Sequence, residues 1–186
     1  MSNNTFSPEQ ILLGSGRIFA GQVEGADEMT IEQLKEELTE LGNIRSGCTL
    51  TYEPETLDVR GGQRNGLLKT MVTQETVTLN TGVCEWNIDA LEILSPAKVE
   101  KEAGKTRYIV GNQGQLPVNT VLFVHEKDTD GGEIQALLTR AQAINGFNFE
   151  FQNEDSLTVG YEFRAINRKD GALLELVETF PEEVEE

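Results

Sequence analysis

The chain has 186 residues, 38% of them apolar with 18 glycines besides, close to the ~45–50% of globular proteins and enough for one cored domain. Its 32 acids against 15 bases leave a net charge of −17, well beyond the roughly 2–8 that suits a small soluble domain. That excess speaks against tight binding to a phosphate backbone or an anionic lipid surface, and no apolar run is long enough for a membrane-spanning helix.

Residues 1–10, MSNNTFSPEQ, read as a polar arm without the basic start and apolar stretch of a secretory signal. Residues 11–180 read as one β domain and 181–186 as an acidic tail. The domain opens on ILLGSGRIFAGQV at 11–23, a strand interrupted by glycines. Over 30–41, Ile31, Leu34, Leu38 and Leu41 recur at three- and four-residue spacing, which predicts a helix with an acidic outer face. Thr30 and Gln33 supply a capping box at its start, and Gly42 a stop.

The segment Cys48–Asn80, CTLTYEPETLDVRGGQRNGLLKTMVTQETVTLN, predicts two long strands joined by the polar loop Gly61–Gly66. Strands of this length outgrow the core of so small a domain. Pairing about the loop sets Val59 opposite Leu68, Leu57 opposite Thr70, Leu50 opposite Val77 and Cys48 opposite Leu79. Because side chains alternate faces, the apolar set near the base (Cys48, Leu50, Tyr52, Val77, Leu79) faces one way. The set near the tip (Leu57, Val59, Leu68, Val72) faces the other, with the switch at Pro54 and near Thr73. One core does not cover both faces. Either a local bulge or a β-sheet crossover restores a monomeric solution, or a partner covers the tip.

Residues 86–94, WNIDALEIL, read as a short helix with Trp86, Ile88, Leu91 and Leu94 inward, ended by Ser95-Pro96. The charged stretch Ala97–Lys105 reads as a loop. Strands follow over 106–110, 118–127 and 133–144. The last also fits a helix through Ile134, Leu137, Leu138 and Ala141, but the tight turn at 128–132 before it favours a strand. Phe147, Phe149 and Phe151 share one face, and Leu157, Val159, Tyr161 and Phe163 alternate with Thr158, Glu162 and Arg164. Lys169-Asp170-Gly171 predicts a hairpin into a final strand at 172–180. Seven to nine strands with one or two helices predict a mainly β fold, an antiparallel β-sandwich or barrel with flanking α-helices and a long protruding β-hairpin.

Charge is unevenly spread. Residues 21–40 hold seven acids against Lys35, and residues 170–186 hold seven acids and no base. Residues 59–69 reverse the sign with Arg60, Arg64 and Lys69 and no acid. The choice is between a solvated acidic protein with one basic turn and a basic loop that docks on an acidic patch of another copy.

Catalytic chemistry is sparse. His125 is the one histidine, set in an apolar strand, where a structural role outweighs a ligand role. Asp128-Thr129-Asp130-Gly131-Gly132-Glu133 lacks the length and third acidic position of a calcium loop and reads as a polar turn. Gly14-Ser15-Gly16-Arg17 is too short for a phosphate loop, and Glu53 with Glu55 is a pair that any acidic strand offers. Cys48 and Cys84 read as buried free thiols rather than a disulfide.

The text ELGNIRSGCTLTYEPETLDVRGGQRNGLLKT, the strand after it and VCEWNIDALEIL together resemble the major tail tube proteins of tailed bacteriophages. The likeness lies in the order of elements across roughly 11–180 rather than in any one motif. It implies two packed antiparallel sheets with a flanking helix. It also implies hexameric rings whose inner strands join into one continuous β-barrel, stacked through long loops and terminal arms. The channel of such a tube holds a tape-measure protein and later carries DNA from capsid to host. The partners implied are further copies of the chain, the tape-measure protein, and tail-tip or baseplate and tail terminator proteins. The place implied is the virion tail, assembled in the bacterial host cytoplasm, with no enzyme activity, cofactor, metal or membrane contact. On that reading Arg60, Gly61, Gly62, Gln63, Arg64, Asn65, Gly66 and Lys69 dock onto the adjacent ring. Thr49, Thr51, Glu53, Thr76 and Thr78 face the channel by alternation, joined by Glu133 and Gln135. The readings left beside it are a tube or hub component of a related injection or secretion machine, and an unrelated β-sandwich binding module.

Overall fold

The alternating patterns resolve into ten strands in the computed structural model, which describes residues 16–83, 90–111, 114–127, 132–146, 149–150 and 158–180. β1 (Arg17–Gly21) lies between β2 (Thr39–Gly61) and β6 (Asn119–Glu126), and β6 pairs onward with β7 (Glu133–Ala143). On the other side β2 pairs with β3 (Gly66–Val83) and β3 with β9 (Thr158–Ala165). β9 returns to β7 through Ala141↔Ala165, Gln142↔Arg164 and Ala143↔Phe163. The order β7-β6-β1-β2-β3-β9 therefore closes on itself, all antiparallel, and closure removes sheet edges. β8 (Phe149–Glu150) adds to β9, and β10 (Glu175–Glu178) lies along the first half of β7. A separate ribbon pairs β4 (Lys98–Glu102) with β5 (Lys105–Ile109). This is the mainly β, barrel-like architecture with a long hairpin that the sequence predicts.

Alternation sorts the apolar residues into two clusters. Ile18, Ala20, Leu79, Val121, Leu138, Val159, Tyr161 and Phe163 fill the barrel interior. Between Asn119 and Val121 the β6–β7 register slips, so that Leu138 and then Ala141 and Ala143 all point inward. Leu91 and Leu94, from the one-turn helix α2 (Leu91–Leu94), pack into the same interior. Phe19, Leu122, Val124 and Leu137 point out of the barrel and are covered by Leu34 and Leu38. Leu34 belongs to α1 (Ile31–Glu37), which starts as expected: Gln33 N–H donates to Thr30 Oγ1 at 3.4 Å and Thr30 N–H to Gln33 Oε1 at 3.0 Å.

Four expectations are corrected. The helix ends at Glu37, not at Leu41: Leu38 is already extended, and Leu41 is the extra residue of a bulge in β2, opposite the Ile18–Phe19 step. Both leucines stay buried, which is why helical spacing persists past the helix. Gly42 is a strand residue at that bulge, with φ 120°, rather than a helix stop. The charged stretch Ala97–Lys105 forms most of the β4–β5 ribbon, turning at Gly104 with φ 76°. Finally, the turn at Asp170-Gly171 forms, with Arg168 N–H to Ala172 O at 3.0 Å, but the strand after it pairs with β7. β9 has no edge left to offer, since β3 takes one and β7 with β8 the other. Segment 133–143 is a strand, as the preceding turn argued. Trp86, Ile88, Cys84, Phe147, Phe151, Leu157, the 128–131 turn, the 1–10 arm, the 11–15 start of the first strand and the 181–186 tail lie outside the described residues.

Candidate assembly interface

The hairpin leaves the barrel at Tyr52 and Glu75. β1 accompanies β2 only over Thr39–Asn43, and β9 accompanies β3 only over Thr78–Val83. From Tyr52 to Arg60 and from Gly62 to Glu75 every residue is exposed. At ~3.3 Å per residue the free arm reaches about 30 Å, with both strand edges unpaired among the described residues. It is held by cross-strand bonds of its own. Tyr52 Oη donates to Glu75 Oε1 at 2.7 Å and Thr70 Oγ1 to Asp58 Oδ1 at 2.9 Å, while Arg60, on the same strand as Asp58, pairs with that carboxylate at 3.1 Å. Gly61↔Gly66 closes the ladder, and Asn65 N–H bonds back to Gly62 O at 3.1 Å. That loop needs left-handed backbone at Gly62 (φ 78°) and Asn65 (φ 47°), which glycine and asparagine tolerate.

Two bulges on β3 set which side chains share a face. Leu67 pairs with Arg60 but Lys69 with Val59, leaving Leu68 extra; Val72 pairs with Thr56 but Gln74 with Glu55, leaving Thr73 extra. The spare Thr73 hydroxyl donates to Glu55 O at 3.2 Å. The expected pairs are thereby corrected: Val59 faces Lys69, Leu57 faces Met71, Leu50 faces Leu79 and Cys48 faces Thr81. The simple symmetric register fails because it allows β3 no extra residue. The face switch stands for Leu57, Val59 and Leu68 but not for Val72. β2 carries no extra residue here, so Leu57 and Val59 point away from the Leu50–Tyr52 face. The Thr73 bulge moves Met71 into step with Leu57, whereas Val72 goes with Thr56 to the opposite face. Leu68 lies against Gly61, whose missing Cβ would sit 2.7 Å from Leu68 Cδ1. The result is an exposed apolar cluster of Leu57, Val59, Leu68 and Met71. Seven of the twelve large apolar side chains exposed among the described residues lie on this hairpin, so its faces are the main uncovered apolar surface.

The loop residues Arg60, Gly61, Gly62, Gln63, Arg64, Asn65, Gly66 and Lys69 all sit at the outer end, with the three cations exposed. Among the channel candidates, five come together on the outer side of the barrel wall. Thr51 pairs with Thr78, Glu53 with Thr76, and Thr49 with Asn80. The same face runs on through Thr78↔Arg164, Asn80↔Glu162 and Gln142↔Arg164. Asn80, Glu162, Arg164 and Gln142 belong to this surface and were missed as candidates, although the alternation of Glu162 and Arg164 with core residues pointed to it. Glu133 and Gln135 lie elsewhere, beneath α1. Lys35 Nζ bonds Glu133 Oε2 at 2.7 Å and Gln135 Nε2 donates to the same oxygen at 2.5 Å. Partial burial works to raise the Glu133 pKa, but the Lys35 and Gln135 hydrogen bonds and the charges of Lys35 and Arg17 outweigh it, leaving the carboxyl below its ordinary range.

Cys48 is half-buried, and burial pushes its thiol up to about 11, so it is a poor nucleophile. His125 is buried in β6. Among the described residues, no three His, Cys, Asp or Glu side chains converge as a metal would require.

No protein-family model matches the chain, and no curated protein matches it. Among solved structures it is similar to a chain of the virion of a native gene transfer agent (GTA) particle, at 10% identity and a TM-score of 0.42, over 76% of this chain and 90% of that one.

Proposed function

We propose that this chain is the structural subunit of a bacteriophage tail tube, forming hexameric rings that stack into a channel for genome delivery. The observation that carries the reading is the free hairpin, an arm of about 30 Å with open edges, an exposed apolar cluster and a basic end. A two-stranded ribbon gains little stability alone, and long uncovered edges and apolar faces invite association. Such an arm is covered once another molecule packs on it, as a neighbouring copy does in a repeating assembly. The sequence resemblance to tail tube proteins supports the same reading.

In this arrangement the basic loop residues Arg60–Gly66 and Lys69 meet the adjacent ring. The face built from Thr49, Thr51, Glu53, Thr76 and Thr78 lines the channel, extended by Asn80, Glu162 and Arg164. Short hydroxyl side chains dominate it, and two carboxylates outnumber one guanidinium. Such a wall gives phosphates no row of cations to hold, so DNA slides rather than sticks. Glu133 and Gln135, pinned under α1, serve the fold instead. Tape-measure protein, tail-tip or baseplate proteins and a tail terminator are the further partners this role calls for.

The test is negative-stain microscopy of the purified protein, with and without the Gly61–Gly66 loop. Rings or tubes from the intact chain and none from the loop deletion, with the fold retained by circular dichroism, are expected. A chain that stays monomeric at every concentration, even with a tail-tip nucleator, ends the proposal.

A further inference from the structure

The apolar cluster on the hairpin needs a seat, and three surfaces among the described residues are candidates for it. The outer face of α1 is acidic, with Glu32, Glu36 and Glu37 exposed and Glu40 of β2 exposed just beyond it, but it presents no exposed large apolar side chain. Burying Leu57 and Met71 there would desolvate carboxylates without any apolar gain. The end of β5 is apolar, with Ile109 and Val110 exposed, but the ribbon around it carries Lys98, Lys101, Lys105 and Arg107 against Glu100 and Glu102. It repels a tip that bears Arg60, Arg64 and Lys69. β10 meets both demands. Leu176 is 60% exposed and Phe180, two residues beyond the strand, 68%. The carboxylates of Asp170, Glu175 and Glu178 beside them are more than half exposed, whereas the cations paired with them, Arg168 and Lys127, are 20% and 6% exposed, with Lys127 Nζ over the Phe180 ring at 4.5 Å. β10 is also the last strand of its sheet, its outer edge unpaired among the described residues, so an arriving strand finds main-chain partners there.

We infer that the hairpin of one copy seats its Leu57–Val59–Leu68–Met71 face on β10 of another copy, over Leu176 and Phe180. The apolar contact holds the two copies together, and the basic loop steers the approach. The inference rests on the ring-stacking reading above. Two hairpins packed face to face are the competing arrangement, but that geometry brings six tip cations together. Hairpin on β10 joins two different patches, a heterologous contact that does not close a dimer and so propagates along an axis.

The experiment is disulfide trapping, since the bond forms only when two Cα atoms come within roughly 7 Å. Met71→Cys and Leu176→Cys are made singly and together, with Leu68→Cys/Leu176→Cys as a second pair and Met71→Cys/Val110→Cys as the control seat. All the positions are exposed, so the fold is expected to survive. Under mild oxidation, ladders of linked chains are expected from at least one hairpin–Leu176 pair, and none from the single variants or the Val110 control. Linkage in Met71→Cys alone would assign hairpin-to-hairpin packing, and linkage to Val110 a seat on β5; either overturns the inference. Tubes in the microscope with no hairpin–Leu176 linkage overturn the seat and leave the tube intact. Ladders from a protein that forms no rings keep the seat and reject the tube.

Discussion

The base and the tip of the hairpin are one pair of strands in two surroundings. At the base Val77, Leu79 and Val83 are buried against the barrel interior. A few residues further out Leu57, Leu67, Leu68, Met71 and Val72 are just as apolar, just as extended, and lie in water. Strand propensity does not distinguish them; what covers them does. The lesson is that an extended, apolar segment states a demand for burial without saying which molecule meets it. Here the body meets it for the base and leaves it open for the tip.

The largest effect that tests this contrast is a pair of truncations on one strand. Leu79→Ala empties a site with no exposure and is expected to cost about 2–5 kcal/mol in urea unfolding. Met71→Ala, eight residues away, is expected to stay within about 0.5 kcal/mol of the native protein. Equal costs would mean that the tip is covered within a single copy, and the comparison would collapse.

A second change acts on the tip's geometry while sparing its composition. Inserting one threonine between Glu55 and Thr56 gives Thr73 a partner and removes the bulge. Leu57 and Met71 stay paired, but the tip turns over relative to the base, so the apolar cluster moves to the Leu50–Tyr52 side. Because this stretch is solvated, stability is expected to change by under about 1 kcal/mol. Self-assembly is expected to weaken at least about tenfold in the concentration it requires, about 1.4 kcal/mol. Sedimentation across a concentration series measures it, and unchanged assembly would remove the Thr73 bulge from the account.

How far the sequence reaches follows the range of the interactions involved. The Thr30–Gln33 cap was legible because both groups lie within one turn, and the face switch of the hairpin because alternation is local. The end of α1 was not, since Leu38 and Leu41 are buried by partners on other strands and keep a helical spacing after the helix has stopped. The β4–β5 ribbon carries too few apolar residues for a period of two to register. The bulges at Leu68 and Thr73 shifted the pairs that symmetry assigned, because nothing in strand text marks an unpaired residue. Five of the seven channel candidates share a face because β2 and β3 are neighbours in sequence as well as in space. Glu133 and Gln135 were grouped with them by alternation on another strand, and only the packing of α1 over β7 separates them.

That separation carries the smallest and sharpest prediction. Glu53 stands exposed on β2, and Glu53→Gln is expected to change stability by less than about 0.5 kcal/mol. Glu133 is a carboxylate of the body. Its side chain is 24% exposed, that of Lys35 is 26% exposed, and the pair ties α1 to β7. Its folded pKa lies below the ordinary 4.5, so the native state holds the proton less tightly than the unfolded chain. The stabilisation is therefore fully present above the unfolded value and is lost as pH falls from about 4.5 through the lowered one. Lys35→Met removes the partner and is expected to cost up to about 1 kcal/mol at neutral pH. The gap between native protein and variant should then narrow as acid protonates Glu133 in both. Urea titrations at pH 7 and in steps below pH 4.5 measure that gap. A gap that does not change with pH would mean that α1 is held by Leu34 and Leu38 alone, leaving Glu133 no more structural than Glu53.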